Sequence, residues 1–315
     1  MVNPRDAKLT TPGYDIIGDI HGQAAKLHRL LDLMGYVERD GLYRHPKRQV
    51  IFVGDFIDRG SQQIETLRIA RTMVEQGQAL AVLGNHEFNA LAWATPDPEN
   101  PESHLRPHSA KNHHQHAAFL AEVAQDETFY ADVLAWFWTL PLFLDLPGLR
   151  VIHACWHAQQ LTLLEPWLTD QRQLTTSLLV RASRAGSAEY DAIETLLKGI
   201  EAPLPPGVVI HDKDGTPRRH VRVRWWDQEA RDYRRGAFIE RFQREQLPDA
   251  PLPIGTLLGY HDPKPLFFGH YWLSGEPAAL GPRLACLDYS AGRDGPLVAY
   301  RWQGEATLTA QHFCW

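Results

Sequence analysis

Three times within its first 93 residues the chain repeats one pattern: a short apolar run, a stop at glycine, a few polar residues, then apolar residues at helical spacing. The first repeat passes from Tyr14–Ile17 through "GDIHG", Gly18 to Gly22, into "QAAKLHRLLDLMGY". There Ala24, Leu27, Leu30, Leu31 and Met34 share a helical face that ends near Gly35. The second is "QVIFVGDFIDRG", a β-rich run broken at Gly54, followed by "SQQIETLRIARTMVEQG", a helix with Ser61 as its expected cap. The third is "QALAVLGNHEF", which stops at Gly84, places Asn85 and His86, and continues as a helix to Trp93. Strands joined by connections of helix length favour an α/β sheet with helices on its faces, and its functional residues belong at the carboxyl ends of the strands.

The pentapeptide "GDIHG" shows what such a strand end offers. Alternating residues of an extended segment point to one side, so Asp19 and His21 are expected to aim an oxygen and a nitrogen at one point. The flanking glycines let a ligand come close. Alone, the same five residues also make an ordinary strand-to-helix turn.

Beyond the third repeat the pattern changes. Residues 94–112, rich in Pro, Asn and Ser, are expected to form a long surface loop. From His113 to Leu140 the spacing is helical, with Phe119, Leu120, Val123, Leu134, Phe137 and Trp138 as the buried face. The cluster "HHQH", His113 to His116, invites a metal reading, but an amphipathic helix start facing solvent accounts for it without any ligand. "LFLDLPGLRVIHACW" predicts a hairpin around Pro147 and Gly148 whose second strand ends at His153. Residues 157–220 hold a helical section and the break "EAPLPPG", and are expected to form an insertion covering the sheet. "PLFFGHYW" ends its apolar run at His270, and "RLACLDYS", "GPLVAYRW" and "EATLTAQHF" suggest a terminal β-meander.

Composition narrows the class of function. The 315 residues, 44% hydrophobic, suffice for a well-buried core in one large domain or two small ones. No apolar run is long enough to span a bilayer and the polar start has no apolar signal core, so a cytoplasmic protein without membrane partners is the expectation. Cys155, Cys286 and Cys314 are too few and too scattered for a disulfide framework or a zinc knuckle. A net charge of −6 gives nucleic-acid binding no support. Sixteen histidines point to metal or acid-base chemistry where they fall in the right places. Nothing in the pattern specifies an oligomeric state.

With the order of elements in view, "GDIHG", "GDFIDRG" and "LGNHE", followed by "VIHA" and "FFGH", resemble the calcineurin-like metallophosphoesterases. The likeness is to the branch holding PPP-type serine/threonine phosphatases and bacterial symmetrical bis(5'-nucleosyl) tetraphosphatases, and it runs from about residue 14 to 302 without the insertion. It implies a metallophosphoesterase β-sandwich, two mixed sheets flanked by helices, in a single domain over 12–312 with the cap-like region 157–220 inserted. It also implies hydrolysis of phosphomonoesters or phosphoanhydrides by a hydroxide bridging two divalent ions, most suitably Mn²⁺, with Fe or Zn²⁺ as alternatives. By resemblance Asp19 and His21 hold the first ion, Asp55 bridges, and Asn85, His153 and His270 hold the second. All six are oxygen or nitrogen donors, as hard and borderline cations require.

The resemblance gives the remaining motif residues roles around that centre. Arg59 would grip phosphate oxygens through its planar fork, and Asn85 would also face the substrate. His86 would protonate the leaving alkoxide, with Asp58 orienting its ring. A second phosphate arginine is expected in "RWWDQEARDYRRG", at Arg235 or its neighbour Arg234. Where phosphoprotein phosphatases commonly carry two glycines, this chain has Ala154 and Cys155 and then Trp156, which are expected to narrow the site against protein substrates. Cys155 reads as a small buried residue rather than a reactive thiol. The substrate would be a phosphorylated small molecule, a nucleotide or a phosphoprotein. The competing reading is a non-catalytic scaffold that binds phosphorylated ligands on the same fold.

Overall fold

The computed structural model describes residues 13–124, 126–211 and 217–315. Gly13–Ile17 lies at the centre of a five-stranded sheet, parallel to Arg48–Phe52, which in turn is parallel to Ala79–Ala81. On the other side Ala299–Trp302 and then Phe313–Cys314 run antiparallel. A second, four-stranded sheet holds Leu284–Cys286, Leu266–Phe268 and Arg150–Ile152 in parallel, with Phe143–Asp145 antiparallel at its edge.

Strand alternation explains why the two sheets stack. Ile16, Ile51 and Val53 of the first sheet meet Val151, Phe267 and Ala285 of the second in one buried cluster. Their neighbours Ile17, Val50 and Phe52, and Ile152, Leu266, Phe268 and Cys286, point the other way and join a core shared with the helices. Both faces of each sheet are therefore covered, which is why these strands are largely apolar; Asp15 is an exception, buried in ion pairs with Arg48 and Arg301. Each Ile or Phe so buried contributes roughly 1.5–3 kcal/mol. The helices α1 (Ala24–Leu33), α2 (Gln63–Glu75), α3 (Asn85–Ala94), α4 (Ala110–Val123) and α5 (Glu127–Trp138) follow the first three strands. Later come α6 (Ala158–Leu164), α7 (Thr176–Ala182) and α8 (Ala188–Lys198), packed on one another.

Several local expectations change. Ser61 does not cap α2, whose N-cap is Gln62; the carboxylate of Glu122, on α4, accepts from the backbone N–H groups of Gln63 and Ile64 instead. The stretch 94–112 is no open loop, because Pro96–Asp97 and Asn100–His104 pair as a small hairpin before α4 begins. The helical stretch to Leu140 is two helices, and Asp126 caps the second by accepting from the Phe129 N–H. On these helices Phe119, Val123 and Phe137 are buried as expected, and so are His116, Val133 and Trp136. The hairpin around Pro147 and Gly148 forms, with Asp145 opposite Arg150. The terminal meander does not: Leu284–Cys286 belongs to the second sheet and Ala299–Trp302 to the first, so the chain crosses between layers. Apolar alternation identifies a strand but not the sheet that receives it. The interval 157–220 holds α6 to α8 and Glu201–Pro203, which pairs with His220–Arg222; residues 212–216 lie outside the described residues.

Candidate active site

Each sheet has three parallel strands, and the loops at their carboxyl ends carry every candidate ligand. Asp19 and His21 follow Gly13–Ile17, and Asp55, Asp58 and Arg59 follow Arg48–Phe52. Asn85 and His86 open α3, His153 follows Arg150–Ile152, and His270 follows Leu266–Phe268. These loops turn through the left-handed region at residues other than glycine as well: φ is 51° at His21, 53° at Asp55, 70° at Asp58 and Arg59, and 67° at His270. Each such residue costs on the order of 1–3 kcal/mol, and such strain gathers where side chains must be aimed. Asp19 and His21 therefore do not converge by strand alternation as expected, because the strand has ended at Ile17 and the chain turns at His21.

Backbone partners hold the imidazoles in place. His21 Nδ1 bonds the Ile57 carbonyl at 2.9 Å, and His153 Nδ1 bonds that of Val53 at 2.8 Å. Each ring thereby turns Nε2 toward Asp55: His21 Nε2 lies 3.6 Å from Oδ2, and His153 Nε2 lies 3.3 Å from Oδ1. Asn85 Oδ1 is 3.2 Å from His153 Nε2. Asp55 belongs to two trios whose donor atoms lie within 4.8 Å of one another, one with His21 and His86 and one with His153 and His270. Asp19 falls outside both; its Oδ2 accepts from the His270 backbone N–H at 2.9 Å. Two glycines make room: a Cβ on Gly269 would lie 1.9 Å from Asp19 Oδ1, and one on Gly84 would lie 2.4 Å from Asp55 Oδ1.

This arrangement fits a cation. Asp19 Oδ1 and His270 Nε2 are buried and have no hydrogen-bond partner among the described residues, whereas buried polar atoms are as a rule paired with protein, water or an ion. Burial, with Asp288 nearby, pushes the Asp19 carboxyl well above its usual range. Burial lowers His153, but Asp55 more than reverses this and lifts it to about 10, so the site calls for positive charge at that point. Burial and Arg59 hold His21 well below its usual value, and burial and Arg222 do the same to His270. Neutral imidazoles are the form that binds metals.

Glu87, to which the motif reading gave no role, is fully buried. Its carboxylate accepts from the N–H groups of Asp55 and Phe56, each at 2.8 Å, and of Gly84 at 3.0 Å, joining two of the loops. His86 lies beside Asp55, with Nε2 3.8 Å from Oδ2, and its Nδ1 bonds Asp58 Oδ2 at 2.5 Å. Burial lowers His86, while Asp55 and Asp58 outweigh it and raise its pKa. The expectation for the histidine cluster fails at one position: His113 and His114 face solvent, but His116 is buried and its Nδ1 bonds Asp58 Oδ1 at 2.8 Å. Burial would raise Asp58, yet its bonds to His116 and His86 bring it far below the usual carboxylate range. His116, Phe119 and Val123 fall at i, i+3 and i+7, so helical spacing alone put this histidine on the buried stripe.

A cleft of about 1200 Å³ opens over this centre. Arg59, Asn85, His86 and His270 line its floor, and Lys111 of α4 and Lys198 of α8 contribute to its walls. Arg59 has no side-chain hydrogen bond or ion pair among the described residues. Arg235 is not among the lining residues: it is exposed at the end of the turn Tyr233–Gly236, its backbone bonded to Asp232. Arg234 is exposed too, its Nε on the Leu247 carbonyl. Arg222 lines the cleft instead, with its Nε buried and without a hydrogen-bond partner among the described residues. Spacing from the tryptophans could not find it, because Arg222 reaches the cleft from a strand paired with Glu201–Pro203. Ala154 and Cys155 lie fully buried away from the cleft lining and do not narrow it; burial raises the Cys155 thiol, as expected of a packed residue. Trp156 packs against Phe143 and Arg150.

Residues 14–148 match the family model of the calcineurin-like phosphoesterases. Over 74 residues the chain is 45% identical to the asymmetrical bis(5'-nucleosyl)-tetraphosphatase PrpE of Halalkalibacterium halodurans, a match covering 23% of this chain and 30% of that one. The corresponding protein of Bacillus subtilis is 39% identical over 74 residues, with the same coverage. The chain thus spans less than a third of the length of these curated relatives, which carry the asymmetrical rather than the symmetrical designation. A cold-active protein-tyrosine phosphatase of a psychrophilic Shewanella superposes with a TM-score of 0.50 at 15% identity, over 93% of this chain and 78% of that one, which is a likeness of fold.

Proposed function

We propose, from the match of residues 14–148 to the calcineurin-like phosphoesterase family model, that the chain is a two-metal phosphohydrolase cleaving phosphomonoesters or phosphoanhydrides. The observation that carries the reading is Asp55 placed between His21 on one side and His153 and His270 on the other, with Asp19 Oδ1 and His270 Nε2 buried and without a partner among the described residues; His86, which also reaches Asp55, is kept for proton transfer. Asp19, His21 and Asp55 would hold one ion, and Asp55, Asn85, His153 and His270 the other. The oxygen and nitrogen donors suit Mn²⁺, with Fe or Zn²⁺ as alternatives. When bound, such a pair neutralises phosphoryl oxygens and lowers the pKa of water toward ~7.

The chain's own residues do the rest. Arg59 and Arg222 bind non-bridging phosphoryl oxygens and fix the ester over Asp55. His86, with Nδ1 committed to Asp58, presents Nε2 to the cleft and gives its proton to the departing oxygen. We read 12–312 as one domain and 157–220 as a cap inserted in it, whose α8 supplies Lys198 to the cleft wall. Cations spread along the cleft, Arg106, Lys111 and Arg293 among them, lie beyond what one phosphate group needs. They favour a substrate with several phosphates, such as the dinucleoside tetraphosphates that name the relatives, over a phosphopeptide. No helix of the described residues is long and apolar enough to cross a membrane; with all three cysteines free, we place the protein in the cytoplasm.

The test is turnover of p-nitrophenyl phosphate with Mn²⁺, before and after chelation. Loss of turnover on chelation and its return with Mn²⁺ is the expected result, while no metal-dependent turnover would leave only the binding scaffold. A higher kcat/KM for diadenosine tetraphosphate than for a phosphopeptide is expected; the reverse order overturns the substrate assignment.

A further inference from the structure

We propose that His116 is a positioning residue for proton transfer, acting on His86 through Asp58; this rests on the phosphohydrolase reading above. Asp58 is buried, and each of its oxygens takes one imidazole: Oδ2 that of His86 at 2.5 Å, Oδ1 that of His116 at 2.8 Å. The terminal torsion of an Asp side chain is broad, so a carboxylate held at one oxygen can rock about its Cβ–Cγ bond. A second donor at the other oxygen fixes the carboxylate plane, and with it the direction in which His86 presents Nε2.

The surroundings of His116 make it a dedicated donor. Its Nε2 is buried with no hydrogen-bond partner among the described residues. With the proton on Nδ1, that atom carries only a lone pair, whereas a proton there would be a buried, unmatched donor, the costlier state. The ring is held between Phe119, at a centroid distance of 5.1 Å, and Trp93, at 5.8 Å. It also sits on α4, whose first turns bring Lys111, Asn112 and Gln115 to the cleft wall. One helix therefore lines the substrate cleft on its exposed side and braces the acid on its buried side. The residue that merely fills space would need neither the hydrogen bond nor its placement on the oxygen opposite His86.

The experiment uses the full chain with Mn²⁺ and compares kcat and KM for p-nitrophenyl phosphate, whose phenolate leaves without a proton, and an alkyl phosphate, whose alkoxide needs one. His116→Phe keeps an aromatic ring, somewhat larger than the imidazole, and removes the donor. Its kcat on the alkyl phosphate should fall about 10-fold or more, within the 10- to 100-fold range for removal of an orienting partner, with p-nitrophenyl phosphate, both KM values and metal content little changed. His116→Asn places an N–H near the Nδ1 position and should restore most of the loss, whereas His116→Gln places it near Nε2 and should not. Equal slowing of both substrates, or Asn no better than Gln, overturns the proposal; if the Phe variant does not fold, the Asn and Gln pair decides. Absence of metal-dependent turnover in the unaltered protein overturns the phosphohydrolase reading and this proposal with it.

Discussion

Asp55 is the residue through which the whole centre is connected. Its side chain faces His21, His86 and His153, and its backbone N–H is held by Glu87. If the carboxylate is shared by two ions, Asp55→Asn should lose both rather than one, as read by metal analysis; retention of one full equivalent would sink the shared role. His86 allows a sharper test at the same scale. A positioned acid contributes typically ~10² to 10⁴-fold, so His86→Asn should slow an alkyl phosphate by something near that range and p-nitrophenyl phosphate much less. Arg59→Ala should hurt both substrates alike, since it would bind oxygens common to both. Equal slowing by His86→Asn at unchanged metal content would assign the proton to another group.

The helices do more than pack on the sheets. Glu122 of α4 reaches across to the start of α2, accepting from Gln63 N–H at 2.9 Å and Ile64 N–H at 3.1 Å. Two first-turn donors that no local side chain serves are satisfied by a residue more than 50 positions away in sequence. Glu122→Ala should lower stability by about 0.5–2 kcal/mol, the range for a lost N-cap, read as a shift in the denaturation midpoint. An unchanged midpoint would mean that solvent serves those donors equally well. The cap also ties α4 to α2, which follows directly on the loop of Asp58 and Arg59, so the helix that carries His116 is fixed against the loop it braces.

For the whole molecule, the two stacked sheets bring three strand ends from each to one edge, and the buried acidic charge collected there is a cost of folding that a cation would offset. Mn²⁺ should therefore raise the melting temperature, since an ion that binds only the folded state at 100 times its Kd adds about 2.7 kcal/mol. Asp19→Asn should raise the stability of the metal-free chain, because burial and Asp288 disfavour the Asp19 charge, and should reduce the shift caused by Mn²⁺. No shift with Mn²⁺, or a metal-free Asp19→Asn less stable than the parent, would refute this reading. The sequence by itself determined the strand, turn and helix repeats and the residues at their turns, because hydrophobic period and glycine punctuation are local and each motif lies within one segment. It also disclosed His153 and His270 as the ends of apolar runs. Only the tertiary structure decided which sheet each late strand joins, that α2 is capped from α4, that Arg222 rather than Arg235 lines the cleft, and that His116 turns inward to Asp58. Each of these is a contact between segments far apart in the chain. The energy that selects such a contact comes from burying both partners together, and no property of either segment alone carries it.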